Sequence, residues 1–150
     1  GAVLYLPVST EGALLSVGDL HAVMGEGEVA NCGVEIEGHV ELKVDVLKQT
    51  GITYPMLENK EQWITIAYGS ALDEASGKAA VQMFQFLCKK MGLGEVDAGM
   101  LLDMAGDLMI CQIVNPMKTV RMEVPKWLVR CLQDRGHGSG AAVQDDFWKG

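Results

Sequence analysis

No stretch of the chain holds the roughly 18 consecutive apolar residues that a helix needs to cross a bilayer. Basic residues are scarce: 12 Lys and Arg stand against 20 Asp and Glu, giving a net charge of −8 and a pI near 4.8. Nucleic acid and anionic membrane surfaces both reward clustered Lys and Arg, so neither is expected as a partner. The four cysteines, Cys32, Cys88, Cys111 and Cys131, form no CxxC pair. Free buried thiols in a reducing compartment are the expectation, over disulfides or thiolate metal ligation. Trp63, Trp127 and Trp148 are scattered and make no stacking platform, and no internal repeat is present. Gly1 opens directly in a strand-like pattern, with no initiating Met and no basic, signal-like segment before it. These absences describe an acidic, soluble, cytoplasmic chain that reads as a fragment or a processed product.

What is present suffices for one ordinary domain, since the chain has 150 residues of which 49% are apolar. Short apolar strands are predicted at Ala2 to Val8, Ala13 to Val17 and Val29 to Glu37. His39 to Leu47 alternates most cleanly. Val40, Leu42, Val44 and Val46 share one face, with His39, Glu41, Lys43 and Asp45 on the other, as in a half-exposed antiparallel strand. Trp63 to Tyr68 reads as a further strand. The period then changes: Leu72, Ala75, Ala79, Met83, Phe86, Leu87 and Met91 fall at helical spacing. Asp73 and Glu74 sit in the first turn and Lys89 and Lys90 in the last, each complementing the helix dipole, and Gly92 and Gly94 stop it. A shorter helix is predicted over Glu95 to Ala105, with Met100 and Met104 joining Met83 and Met91 as core residues. Asp107 to Val114 follows as a strand buried on both faces, and Thr119 to Val124 pairs back on it. Pro125 opens a helix through Leu132. The expected fold is α+β, built on antiparallel, sandwich-like sheets with two or three helices in the second half. Residues 4–133 form a single domain portion and residues 134–150, rich in Gly and Ser, a flexible tail.

Chemistry concentrates in Gly18-Asp19-Leu20-His21-Ala22-Val23-Met24-Gly25-Glu26-Gly27-Glu28. In an extended stretch Asp19 and His21 point the same way. An imidazole and a carboxylate so placed can hold a divalent cation, or the acid can orient the histidine as a base. The glycines let the chain turn back, so that Glu26 or Glu28 faces the same pocket as a general base. A glycine-rich acidic loop is also an ordinary solvated turn, and the motif alone does not decide between these.

The wording of the segment carries more. Leu4-Tyr5-Leu6-Pro7-Val8, Gly12-Ala13-Leu14, Gly18-Asp19 with His21-Ala22, Gly25-Glu26-Gly27-Glu28 and Cys32-Gly33-Val34-Glu35-Ile36-Glu37 follow one another in order. Ala105-Gly106-Asp107-Leu108, Gln112-Ile113-Val114-Asn115-Pro116 and Lys118-Thr119-Val120 come later. In these motifs the chain closely resembles the C-terminal half of the acetamidase/formamidase family, whose members are about twice as long. The resemblance implies hydrolysis of formamide, acetamide or similar short amides to carboxylate and ammonia. It points to Asp19 and His21 as metal ligands and to Glu28 as ligand or base, with Glu26 the next candidate base. The cofactor it implies is a divalent ion, zinc first, although Asp, His and Glu suit manganese or iron about equally. The implied partners are a small amide substrate and either further copies of the chain or the missing N-terminal half. The competing reading is an inactive structural or metal-binding fragment that needs that half.

His39 is expected at the surface and His137 in the tail. Cys32 is read as a small buried thiol in preference to a nucleophile, because no Lys or His stands at a supporting spacing. Asp107 either caps a turn or reaches the pocket.

Overall fold

The computed structural model describes residues 1–48 and 50–136. Strand β1 (Val3–Tyr5) is followed by a long connection. Then come β2 (Met56–Glu58), β3 (Gln62–Gly69), helices α1 (Leu72–Lys89) and α2 (Glu95–Ala105), strands β4 (Asp107–Gln112) and β5 (Lys118–Pro125), and helix α3 (Lys126–Gly136). The strands form one antiparallel sheet in the order β1-β2-β3-β5-β4. This is the expected α+β architecture, with all helices in the second half; no second sheet occurs among the described residues.

The core lies between α1 and the two central strands. Trp63, Thr65 and Ala67 of β3 and Val120, Met122 and Val124 of β5 are buried beneath Ala75, Ala79, Met83, Phe86 and Leu87 of α1. Small residues let the helix approach closely. A Cβ on Gly69 would lie 2.9 Å from the Ala75 nitrogen, and the buried Thr65 hydroxyl donates to the Ala79 carbonyl at 2.8 Å. That bond removes the penalty a buried hydroxyl would otherwise incur. The first turn of α1 is held by Glu74, whose Oε2 accepts from both the N–H and the hydroxyl of Ser70 at 2.8 Å. Lys78 donates to the other oxygen at 2.6 Å. These donors bring the Glu74 carboxyl down to about 2. The opposite face of the sheet carries Ile64, Ile66, Arg121 and Glu123, with Ile64 registered against Glu123 and Ile66 against Arg121.

Several expectations are corrected. The strands predicted at Ala13 to Val17, Val29 to Glu37 and His39 to Leu47 are not formed. Among the described residues between β1 and β2 there are only isolated bridges, His21 with Glu35 and Gly27 with Gln112. Val40, Leu42, Val44 and Val46 are 50–67% exposed. Their alternation marks a face that needs cover, and nothing among the described residues covers it. Strand β4 is an edge strand with Leu108 and Ile110 exposed, not a doubly buried one, because β5 takes the position beside β3. Met83 and Met91 are core residues, but Met100 and Met104 are exposed, since α2 docks through Ala98 and Leu101 instead. Pro125 ends β5, and α3 runs to Gly136, so residues 134–136 of the expected tail are helical. The remainder of that tail, with His137 and Trp148, lies outside the described residues. No helix among the described residues is long and apolar enough to cross a membrane.

Candidate active site

The candidate site is a short hairpin within the β1–β2 connection. The Ala22 N–H donates to the Val34 carbonyl at 2.8 Å, the Val34 N–H to the Val23 carbonyl at 2.8 Å, and the Ile36 N–H to the Leu20 carbonyl at 3.1 Å. These bonds set His21 opposite Glu35. Asp19 reaches the same point by another route. Its backbone is left-handed, with φ of 60°, a conformation that Asp tolerates better than most residues, so a turn and not strand alternation brings its carboxylate round.

Asp19 Oδ1 lies 3.3 Å from His21 Nε2, and Glu35 Oε1 lies 2.8 Å from the same nitrogen. One ligand atom from each of Asp19, His21 and Glu35 falls within 4.8 Å of the others. The imidazole is 13% exposed, while the Asp19 and Glu35 carboxylates are 82% and 55% exposed. The trio therefore has a sheltered base and an open mouth. With a proton on Nε2 the atoms form a hydrogen-bonded imidazole–carboxylate group; without it they are three donors for a cation. Gly33 is part of this geometry, because a Cβ there would fall 2.8 Å from His21 Cγ and Nδ1.

Glu35 is the site residue that sequence reasoning missed. It lies far from His21 along the chain, and only the hairpin register joins them. The sole signal was its place in the Cys32-Gly33-Val34-Glu35 motif. Glu28 is not one of the three converging donors. Its backbone is left-handed, with φ of 38°, and its N–H donates to the Gly25 carbonyl at 3.1 Å. Glu26 is drawn elsewhere: Arg121 donates to its Oε2 at 2.6 Å and to its Oε1 at 2.9 Å. That guanidinium pulls the Glu26 carboxyl below its ordinary value.

Cys32 is exposed, correcting the expectation of a buried thiol. Its Sγ donates to Glu35 Oε1 at 3.6 Å. That bond, followed by desolvation and by the charges of Glu35, Glu28 and Asp19, raises the thiol above its usual range. Thiolate character, which a nucleophile requires, is thereby suppressed. Of the other thiols, Cys131 is exposed, Cys88 and Cys111 are half-buried, and all are free. His39 is exposed, and Asp107 opens β4 as an exposed residue opposite Glu123.

Comparison with known proteins places this arrangement. The sequence model of the Acetamidase/Formamidase family matches residues 1–77, the half of the chain that holds the hairpin. The chain belongs to the acetamidase/formamidase family. The crystal structure of an acetamidase from Bacillus halodurans superposes with a TM-score of 0.81 at 46% identity, covering 88% of this chain and 45% of that one. An acetamidase from Yersinia enterocolitica gives a TM-score of 0.82 at 32% identity, covering 86% of this chain and 39% of its own. The acetamidase of Mycolicibacterium smegmatis is 34% identical over an alignment of 92 positions that covers 53% of this chain and 22% of the relative. The chain thus spans less than half the length of these relatives.

Proposed function

We propose that the chain carries the donor half of a site that hydrolyses short amides of the formamide and acetamide type, assisted by a divalent ion. The observation carrying this reading is the convergence of Asp19, His21 and Glu35 at one point on the hairpin. Family membership supplies the reaction class. The donor set fits such an ion: one imidazole nitrogen and two carboxylate oxygens suit zinc first, with manganese and iron close behind. Three protein donors with an open mouth match the pattern in which a further position is left for water or substrate. The ion would supply Lewis acidity, polarising the amide carbonyl and making a bound water more acidic.

The chain's own residues do the remainder. Asp19, His21 and Glu35 hold the ligand atoms, and the burial of His21 keeps its ring fixed. Glu28 is the proposed proton acceptor, taking a proton from the attacking water and returning it to the leaving nitrogen. An amide is a weak electrophile with a poor leaving group, so both kinds of assistance are needed. Glu26, the next candidate, is set aside for that role, because a carboxylate already bound at both oxygens by Arg121 is a weak base. The remainder of a family-length chain is the proposed partner, covering the exposed valines and leucines of residues 3–47 and closing the second wall of the pocket.

The test measures ammonia release from formamide and acetamide, together with bound metal, on a family-length chain. His21→Ala is expected to lower metal content and rate together. Glu28→Gln is expected to keep the metal and lose at least about a hundredfold in turnover, within the usual range for a lost general base. Full metal occupancy and full rate in His21→Ala would remove the metal-site reading. Bound metal with no ammonia release from the unsubstituted protein would leave a metal-binding module and remove the enzyme.

A further inference from the structure

The tip of the candidate hairpin is docked on the sheet by an ionic network that the proposed reaction does not use. Arg121 stands on β5, on the sheet face turned away from the helices. Its Nη1 and Nη2 bind the two oxygens of Glu26, 95 residues away in sequence. Its Nε donates to Glu123 Oε1, and Glu123 Oε2 accepts from Gln62 of β3 at 2.8 Å. The guanidinium also lies against Cys111 Sγ at 3.7 Å and Met109 Sδ at 3.4 Å, both on β4. The next residue of the hairpin, Gly27, is buried and joins β4 through its backbone. Its N–H donates to the Cys111 carbonyl at 3.2 Å, and its carbonyl accepts from the Ile113 N–H at 2.8 Å. Gly27 has φ of +93°, which few side-chain-bearing residues adopt.

From this arrangement we infer that Arg121 is a positioning residue: by clamping Glu26 it fixes the hairpin tip to the free edge of β4, and so sets the spacing of Asp19, His21 and Glu35 at the stem. The inference rests on the proposed site for its functional meaning but not for its geometry. The hairpin has only a few backbone bonds of its own, and its flanking residues are exposed, so it depends on an external anchor. A planar fork held from behind by Glu123 and Gln62 is such an anchor, because bidentate Arg–carboxylate pairing fixes direction as well as distance. The side chain of Glu123 is only 11% exposed, which ties the network to the sheet and away from solvent.

The test is hydrogen exchange on the metal-free 150-residue chain, read at the Ala22, Val34 and Gly27 amides, in Arg121→Met, Glu26→Gln and the double variant. A calorimetric Zn2+ titration runs on the same samples. Each single variant is expected to lower protection at Ala22, Val34 and Gly27 by about tenfold or more, while the β3–β5 ladder amides stay unchanged. The double variant is expected to be no worse than the weaker single, because both cut one clamp. Zinc affinity is expected to fall by about 10- to 100-fold, as for other groups that orient metal ligands. Unchanged protection in both single variants would overturn the inference, as would absent protection in the unsubstituted chain. Losses spread equally over the β3–β5 ladder would show that Arg121 serves the sheet in general and would overturn it too. If the unsubstituted chain takes up no zinc, the metal reading fails, while the exchange data still decide whether the clamp exists.

Discussion

His21 has room for its ring because residue 33 carries no side chain. A Cβ on Gly33 would meet the imidazole at 2.8 Å and the Val23 carbonyl at 2.9 Å, well inside ordinary contact distance. Neither neighbour can yield freely: the carbonyl accepts the Val34 N–H, and the ring is held between two carboxylates. Gly33→Ala is therefore expected to push the ring off its present line and weaken zinc binding by about tenfold or more, with little change in melting temperature. A calorimetric titration and a thermal melt on one preparation check this, and unchanged zinc affinity would show that the ring is free to move. The pair Asp19–His21 was legible in the sequence as a carboxylate beside an imidazole. The way they meet was not, since a left-handed Asp19 leaves no mark in a hydropathy pattern. Arg121 was equally invisible as the partner of Glu26, because only the Gly27–Gln112 bridge to β4 together with the β4–β5 register brings them together.

At the scale of elements, α1 offers the clearest tests. Phe86 is 5% exposed and its ring centroid lies 5.0 Å from that of Trp63. Phe86→Ala is expected to cost about 3–5 kcal/mol in denaturant unfolding, and a loss below about 1 kcal/mol would mean that the face is not core. Gly77 is an exposed helical glycine with nothing within 4 Å of a built Cβ. Gly77→Ala is expected to stabilise by about 0.5–1 kcal/mol. Glu74, lowered to about 2 from an ordinary 4.5 by Lys78 and Ser70, gives α1 a pH dependence. Its carboxylate helps the folded state fully above about 4.5, and the help is lost as pH falls toward 2. Carboxyl NMR should find its midpoint near that value, moving upward in Lys78→Met. Helix α1 was readable because one strong 3.6-residue period, acidic start and glycine stop all agreed. The His39 to Leu47 stretch misled for the opposite reason: its pattern reports a face to be buried, while pairing depends on a partner strand that the pattern does not contain. Met100 and Met104 misled likewise, since helical spacing cannot say which side of α2 the sheet lies on.

Taken as a whole, the molecule has a well-packed half and an uncovered one. Every buried apolar residue among those described lies from β2 onward, whereas Leu6, Val8, Leu14, Leu15, Val29 and many others before β2 are exposed. So many exposed large apolar residues within 45 positions are unusual on a free-standing monomer. The same residues lie in the part matched by the family, and the Bacillus halodurans acetamidase is about twice as long. The chain alone is expected to bind a hydrophobic dye and to sediment as more than a monomer, and joining it to the rest of a family-length chain should abolish the dye binding. No dye binding by the chain alone would mean that the first half finds its own cover.

A cation held jointly by Asp19, His21 and Glu35 is the heart of the proposed chemistry. Equilibrium dialysis of the chain against Zn2+, with metal counted per chain, tests it most directly. One zinc ion is expected on the unsubstituted chain and none on the Asp19→Asn, His21→Ala, Glu35→Gln triple variant, with both chains equally folded by circular dichroism. Equal zinc content in the two chains, or none in the unsubstituted one, would contradict it.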